Sequence, residues 1–252
     1  LRYTREVTVR GLGLMLALRT LLFAGFQAAF AVGLAAAGST SPWEASIAWW
    51  PVSATLANFA NLAVLARAIR REGTTWRDLF AVRRDGWRRD LRWMVLALVI
   101  VTPLAVGPNM GLGILLFGDA SVPATMMFRP LPLWAALVVI PLFPLSIALS
   151  ELPTYYAFAA PRLQAATGAR VWPWVLAAGL HAVQHVALPL VFDEAFVVWR
   201  LLMFLPFALF MAWLLHRRRT VLPYMMTVHG LLDAQLPIFI LLASLGRPVF
   251  GG

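Results

Sequence analysis

Five side chains with acid–base or ligating chemistry lie inside apolar stretches of the sequence: Glu151, His181, His185, His229 and Asp233. Glu151 sits in PLFPLSIALSELPTYYAF, the first two histidines in VWPWVLAAGLHAVQHVALPLVF, and the last pair in VLPYMMTVHGLLDAQLPIFILL. His181/His185 and His229/Asp233 are both spaced i,i+4, so each pair shares one helix face. A carboxylate and imidazoles meeting away from bulk water can activate a water as general base, or could hold a divalent cation such as zinc. A charge at the bilayer centre costs about 2.5–3.5 kcal/mol even on the lenient insertion scale, so these groups are expected to face one another or a wet cavity. A single histidine in such a place is as readily a packing residue bonded to a neighbouring helix. The set of Glu151, His185, His229 and Asp233 fits that reading less well.

The elements that must position these residues read as membrane spans. Hydrophobic residues make up 61% of the 252-residue chain, charged residues 13%, and the mean hydropathy is +0.78, which is the balance of a polytopic membrane protein. Seven apolar runs, near 12–37, 47–69, 93–117, 131–159, 171–192, 197–215 and 221–245, are each about long enough to cross a bilayer. They predict an all-α bundle of about seven transmembrane helices forming one integral membrane domain over 1–252, with the site inside the bundle. The first run is read as a retained span rather than a cleaved signal. Counted along the runs, Glu151, His181 and His229 come out about 12–15 Å from the same membrane face, with His185 and Asp233 one turn further. The fourth, fifth and seventh spans are therefore expected to pack around one cavity open to the cytoplasm.

Arginine placement sets the expected orientation. All 21 basic residues are arginine, and 17 of them fall in the segments alternating with the N-terminus. Arg129, Arg200 and Arg247 are assigned to the opposite segments, and Arg19 lies within the first run. The positive-inside rule then puts the N-terminus in the cytoplasm and the C-terminus outside a cell (inner or plasma) membrane. The net charge of +10 is thus topology and not a nucleic-acid face. The segment 70–92, with Trp76, Phe80 and Trp87, reads as a basic helix on the anionic leaflet or as a solvated loop. Absence of cysteine removes disulfides, thiolate metal sites and a cysteine nucleophile. Gln27, Asn58 and Asn61 are expected to make helix–helix hydrogen bonds, and His216 to mark the membrane–water boundary.

The stretches SELPTYYAFAAPRL (150–163), HAVQHVALPLVFD (181–193) and VLPYMMTVHGLLDA (221–234) resemble, in that order, the motifs of the CPBP family. These are the CAAX prenyl proteases and bacteriocin-processing enzymes, also called Abi, which are intramembrane proteases. The resemblance covers about 130–245. The first motif is E-E-x-x-x-R followed by G-Y-x-x-P-R-L. With Pro161-Arg162-Leu163 as anchor, Glu151 takes the first glutamate, Leu152 stands at the second and Tyr156 at the arginine. His185 matches the histidine of F-x-x-x-H, with His181 at the aromatic position. His229 matches that of H-x-x-x-N, with Asp233 in the asparagine's place.

The resemblance implies a hydrolase in which Glu151 and His185 activate the attacking water while His229 and Asp233 attend the oxyanion. The residues themselves support the same division, because donors aimed at a developing oxyanion usually contribute most to such catalysis. An ionised Asp233 would repel that oxyanion, so it either stays protonated or serves to orient His229. Tyr155 and Tyr156 offer supporting hydroxyls, and His181 supports His185 or adds a ligand. No cofactor is required by this chemistry, although Glu151, His181, His185 and His229 could form a zinc site. The expected partners are membrane lipids and a membrane-anchored or prenylated peptide or protein substrate, and no nucleic acid. A catalytically silent scaffold or immunity protein, given the departures at Leu152, Tyr156 and Asp233, and a proton-coupled transporter are the competing readings.

Overall fold

An apolar stretch must satisfy its own backbone polar groups, and a helix does so without a partner. The computed structural model describes residues 8–80 and 86–247, and among them the chain is helical with no β-strand beyond one isolated bridge, Ala187 to Leu190. In order the helices are α1 (Val9–Ala36), α2 (Pro42–Ser46), α3 (Trp50–Arg71), α4 (Trp87–Phe117), α5 (Val122–Met127) and α6 (Leu133–Leu152). A π-helical turn, Pro153–Ala159, joins α6 to α7 (Ala160–Thr167). After these come α8 (Trp172–Val186), α9 (Glu194–Arg217), α10 (Leu222–Asp233) and α11 (Gln235–Ser244). The protein is an all-α, integral membrane protein.

Among the described residues six helices, not seven, are long and apolar enough to span a membrane. The exception is the fifth expected span, where α8 stops at Val186 after 15 residues. That is about 22 Å of helix, short of a hydrocarbon core of about 30 Å. Pro189 accounts for the stop, since it has no N–H to give and disfavours helix in the residue before it. The chain completes the traverse as irregular backbone, whose polar groups need partners at that depth. Gln27 supplies them to Leu190, donating to its carbonyl and accepting from its N–H, both at 2.8 Å. Phe192 then stacks on Trp43 at the far end, 4.9 Å between ring centroids.

Contacts at the two ends confirm the alternation of the chain. Arg162 donates through Nε to Glu72 Oε1 at 2.7 Å, Thr220 to Asp90 Oδ1 at 2.8 Å, and Arg218 lies over Trp93, all at the arginine-rich end. His216 closes α9 there against Trp174, in line with a boundary position. At the other end Arg129 pairs with Glu44 and Leu131 N–H donates to Ser244. Arg2, Arg5, Arg83 and Arg84 lie outside the described residues. Arg200 is a correction: it is buried within α9, not in a connecting segment.

The 70–92 segment is not one basic helix. α3 runs through Arg71, a 3-10 turn covers Trp76–Leu79, and Trp87 already opens α4. Thr75 and Asp78 cap the 3-10 turn reciprocally, and Trp76, Leu79 and Phe80 pack on the bundle. Residues 81–85 lie outside the described residues.

The buried apolar residues form two clusters. One, near the arginine-rich end, includes Leu16, Leu65, Leu152 and Ala182; the other includes Phe23, Ala57, Ile147 and Ala187. Between them on each helix sits buried polar residue: Arg19, Asn58 and Asn61, Ser150 and Glu151, Gln184 and His185. Arg19 lies about 15 Å along α1 from its start at Val9. The functional side chains occupy this layer.

Candidate active site

Glu151 is the last but one residue of α6, which widens after Leu152. Pro153, with no N–H to return to the previous turn, opens the π-helical turn, a distortion that recurs at functional sites. The wider turn lets Tyr155 and Tyr156, adjacent in sequence, both face α8. Tyr155 Oη donates to Gln184 Oε1 at 3.2 Å, and Tyr156 Oη lies 2.8 Å from His181 Nδ1 and 3.0 Å from Ala208 O.

The carboxylate of Glu151, fully buried, is surrounded by donors. Oε1 is 2.9 Å from His181 Nε2 and 3.2 Å from His229 Nε2. Oε2 accepts from Gln184 Nε2 at 2.6 Å and from Arg19 Nη2 at 3.2 Å. Arg19 also donates to Gln184 Oε1 at 2.6 Å and to Ser150 Oγ, and Asn61 donates to Ser150 Oγ at 3.0 Å. A neutral His181 that accepts a hydrogen bond from the Tyr156 hydroxyl at Nδ1 carries its proton on Nε2, towards Glu151. His185 Nδ1 donates to His181 O at 2.9 Å and its ring stacks on Phe204, 3.5 Å between centroids. In neutral form, its Nε2 is thereby left as a bare acceptor.

α10 reaches this group because of one glycine. A Cβ on Gly230 would come within 3.0 Å of Ala148 Cβ and 3.2 Å of Pro144 O. The close approach to α6 delivers the neighbouring His229 to Glu151. His229 Nε2 is shared, at 2.8 Å, with Asp233 Oδ2 one turn on. Of the readings left open for Asp233, the contact matches orientation of His229.

All five residues singled out from the sequence are in one cluster, with both tyrosines. Two members were missed. Arg19 was visible as an arginine deep inside the first apolar run, but nothing local says which of the later helices α1 would meet. Gln184 lies between the two histidines, in HAVQH. Arg19 brings a cation to Glu151 from α1. Leu152, in place of a second glutamate, is buried among apolar residues. Asn58 and Gln27 make the inter-helix bonds expected of them, to Ser146 and Leu190, and Asn61 joins the site's outer layer.

A cavity of about 590 Å³ lies beside the cluster, lined by His185, His229, Asp233 and Arg200 together with apolar and aromatic side chains. It lies between α6, α10 and α11 on one side and α4 and α9 on the other. The lining runs from Met211 and Met225, towards the arginine-rich end, to Ala120 and Ser121 after α4 and Phe239 on α11 at the other. The segment after α4 folds back there, with Ala120 against Gly113. Glu151 and His181 are sealed from solvent and reach the cavity only through His229 and His185.

Ligand atoms of Glu151, His181 and His185 lie within 4.8 Å of one another, a group that does not include His229. The surroundings fit a hydrogen-bonded carboxylate better than a cation. A divalent ion would have to displace the His181–Glu151 contact and share the carboxylate with the Arg19 guanidinium, a like charge. Comparison of the chain with protein-family models, with curated proteins and with solved structures found no match.

Proposed function

We propose that the protein is an intramembrane peptidase of the CAAX-protease kind, acting on a membrane-anchored or prenylated substrate. The observation that carries this reading is the distance between the acid–base groups: a Glu151 oxygen and a His185 nitrogen within 4.8 Å. One water spans two polar atoms about 5 Å apart. A water so held gives a proton to this pair as its oxygen bonds to the scissile carbonyl carbon. The His229 Nε2–H, held beside Glu151 Oε1 and Asp233 Oδ2 at rest, turns to the oxyanion as it forms, and the transferred proton passes to the leaving nitrogen as the C–N bond breaks. Arg19 and Gln184 fix the carboxylate, and Asp233 fixes His229. No metal is needed in this scheme. The arginine-rich end, with the start of α1, belongs at the cytoplasmic face of a cell membrane and the end of α11 at the outer face.

A second reading has its own observation. Both oxygens of Glu151 already have protein donors and the residue is fully buried, as suits a polar knot in a silent scaffold. Reconstituted protein and a panel of lipidated and transmembrane peptides, read by mass spectrometry, separate the two. The peptidase reading expects a defined cleavage, unaffected by chelator and reduced about 10²- to 10⁴-fold by Glu151→Gln or His185→Ala. Cleavage that survives both changes discards the mechanism, and no cleavage of any panel member favours the scaffold.

A further inference from the structure

Arg200 has no role in the cluster around Glu151, yet it too is a buried arginine. It lies in α9 with 6% of its surface exposed and forms part of the cavity wall. Nη2 donates to Leu188 O at 2.6 Å, and Nη1 has only the thioether of Met203, a weak acceptor, at 4.0 Å. Nε is buried with no hydrogen-bond partner. The rings of Trp199 and Phe204 flank the guanidinium at 5.4 and 5.1 Å. No carboxylate among the described residues lies within ion-pair distance of it. Asp233 shares the cavity but is engaged by His229 at 2.8 Å. An arginine at such depth is ordinarily paired or faces an aqueous or ligand-bearing space.

We infer that Arg200 anchors a carboxylate carried on an apolar chain, with the chain filling the cavity. The unused part of the guanidinium fork suits a two-pronged carboxylate. The aromatic and aliphatic walls, Trp50, Phe128, Phe143 and Phe239 among them, suit hydrocarbon. Leu188 links the anchor to the site, because its carbonyl accepts from Arg200 and its N–H donates to His185 O at 3.1 Å. A carboxylate on Arg200 therefore lies in the cavity that His185 also lines. The inference does not rest on peptidase activity, since binding is measured without turnover.

The test is equilibrium binding to the full chain in nanodiscs. One arm uses a long-chain fatty acid and its methyl ester; the other uses an apolar tetrapeptide with a free or an amidated C-terminus. In at least one arm the acid is expected to bind about tenfold or more tightly than its neutral counterpart, and the arm that responds identifies the source of the carboxylate. Arg200→Gln should reduce that ratio to about one, while Arg200→Lys, which keeps the charge and loses the fork, should fall between. Equal binding of acid and neutral forms in both arms of the unaltered protein overturns the inference, whether or not the variants fold. So does a ratio that persists in a folded Arg200→Gln protein.

Discussion

Arg19 Nη2 lies 3.2 Å from Glu151 Oε2, and both side chains are completely shielded from solvent. The two are 132 positions apart in the chain, and the pair joins α1 to the end of α6. A buried ion pair is not by itself a strong source of stability, because desolvation offsets much of the attraction. Its loss on one side only is a different matter, since the remaining charge is left uncompensated.

Arg19→Met is accordingly expected to destabilise the protein by about 3–5 kcal/mol, read from reversible unfolding in mixed micelles. The double change Arg19→Met with Glu151→Gln should recover a substantial part of that loss. A double variant as unstable as the sum of the two single ones would show that the residues do not act as a pair.

Gly230→Ala probes the approach of α10 to α6. The added methyl would meet Ala148 Cβ at 3.0 Å and Pro144 O at 3.2 Å, and overpacking of this kind costs about 1–3 kcal/mol. Adding Ala148→Gly should relieve part of the strain, and any peptidase activity should follow, because His229 depends on the same approach. Wild-type stability and activity for Gly230→Ala alone would contradict the packing argument.

Asp233→Asn restores the residue of the resembled motif, yet it is expected to lower activity. The 2.8 Å separation from His229 Nε2 is that of an ion pair, and a contact with a charged group is worth about 1.5–3 kcal/mol, or roughly 10- to 150-fold in rate if expressed in the transition state. Steady-state turnover with a peptide the parent cleaves decides it. Unchanged or higher turnover would mean that Asp233 merely substitutes for asparagine.

Outside the spans, Asp78 titrates below its ordinary value of 3.8, held down first by the Thr75 backbone N–H and then by the Thr75 hydroxyl. A depressed folded-state pKa stabilises the turn fully above the ordinary value and loses that contribution as pH falls through the lower one. Asp78→Asn should therefore weaken the Trp76–Leu79 turn at neutral pH and cease to differ from the parent at pH below the folded-state value. Trp76 fluorescence against pH reads the change, and a difference that persists unaltered into acid would refute the assignment.

The sequence by itself determined the class of protein and which polar residues matter. Apolar runs have to become helices in a membrane, and charge among them must be shielded, so Glu151, His181, His185, His229 and Asp233 stand out without any structure. The i,i+4 spacing also fixed the pairs that share a face. Only tertiary structure decided the partners. Helix periodicity gives the direction of a side chain but not the neighbouring helix, so it could not join Arg19 to Glu151 or show that a glycine admits His229. The early end of α8 was signalled by Pro189, but hydropathy is blind to backbone geometry and the stretch after Val186 remains apolar. Arg200 shows the same limit: position near the end of an apolar run suggested a boundary, while packing of α9 against the Leu188 segment buried it beside the cavity.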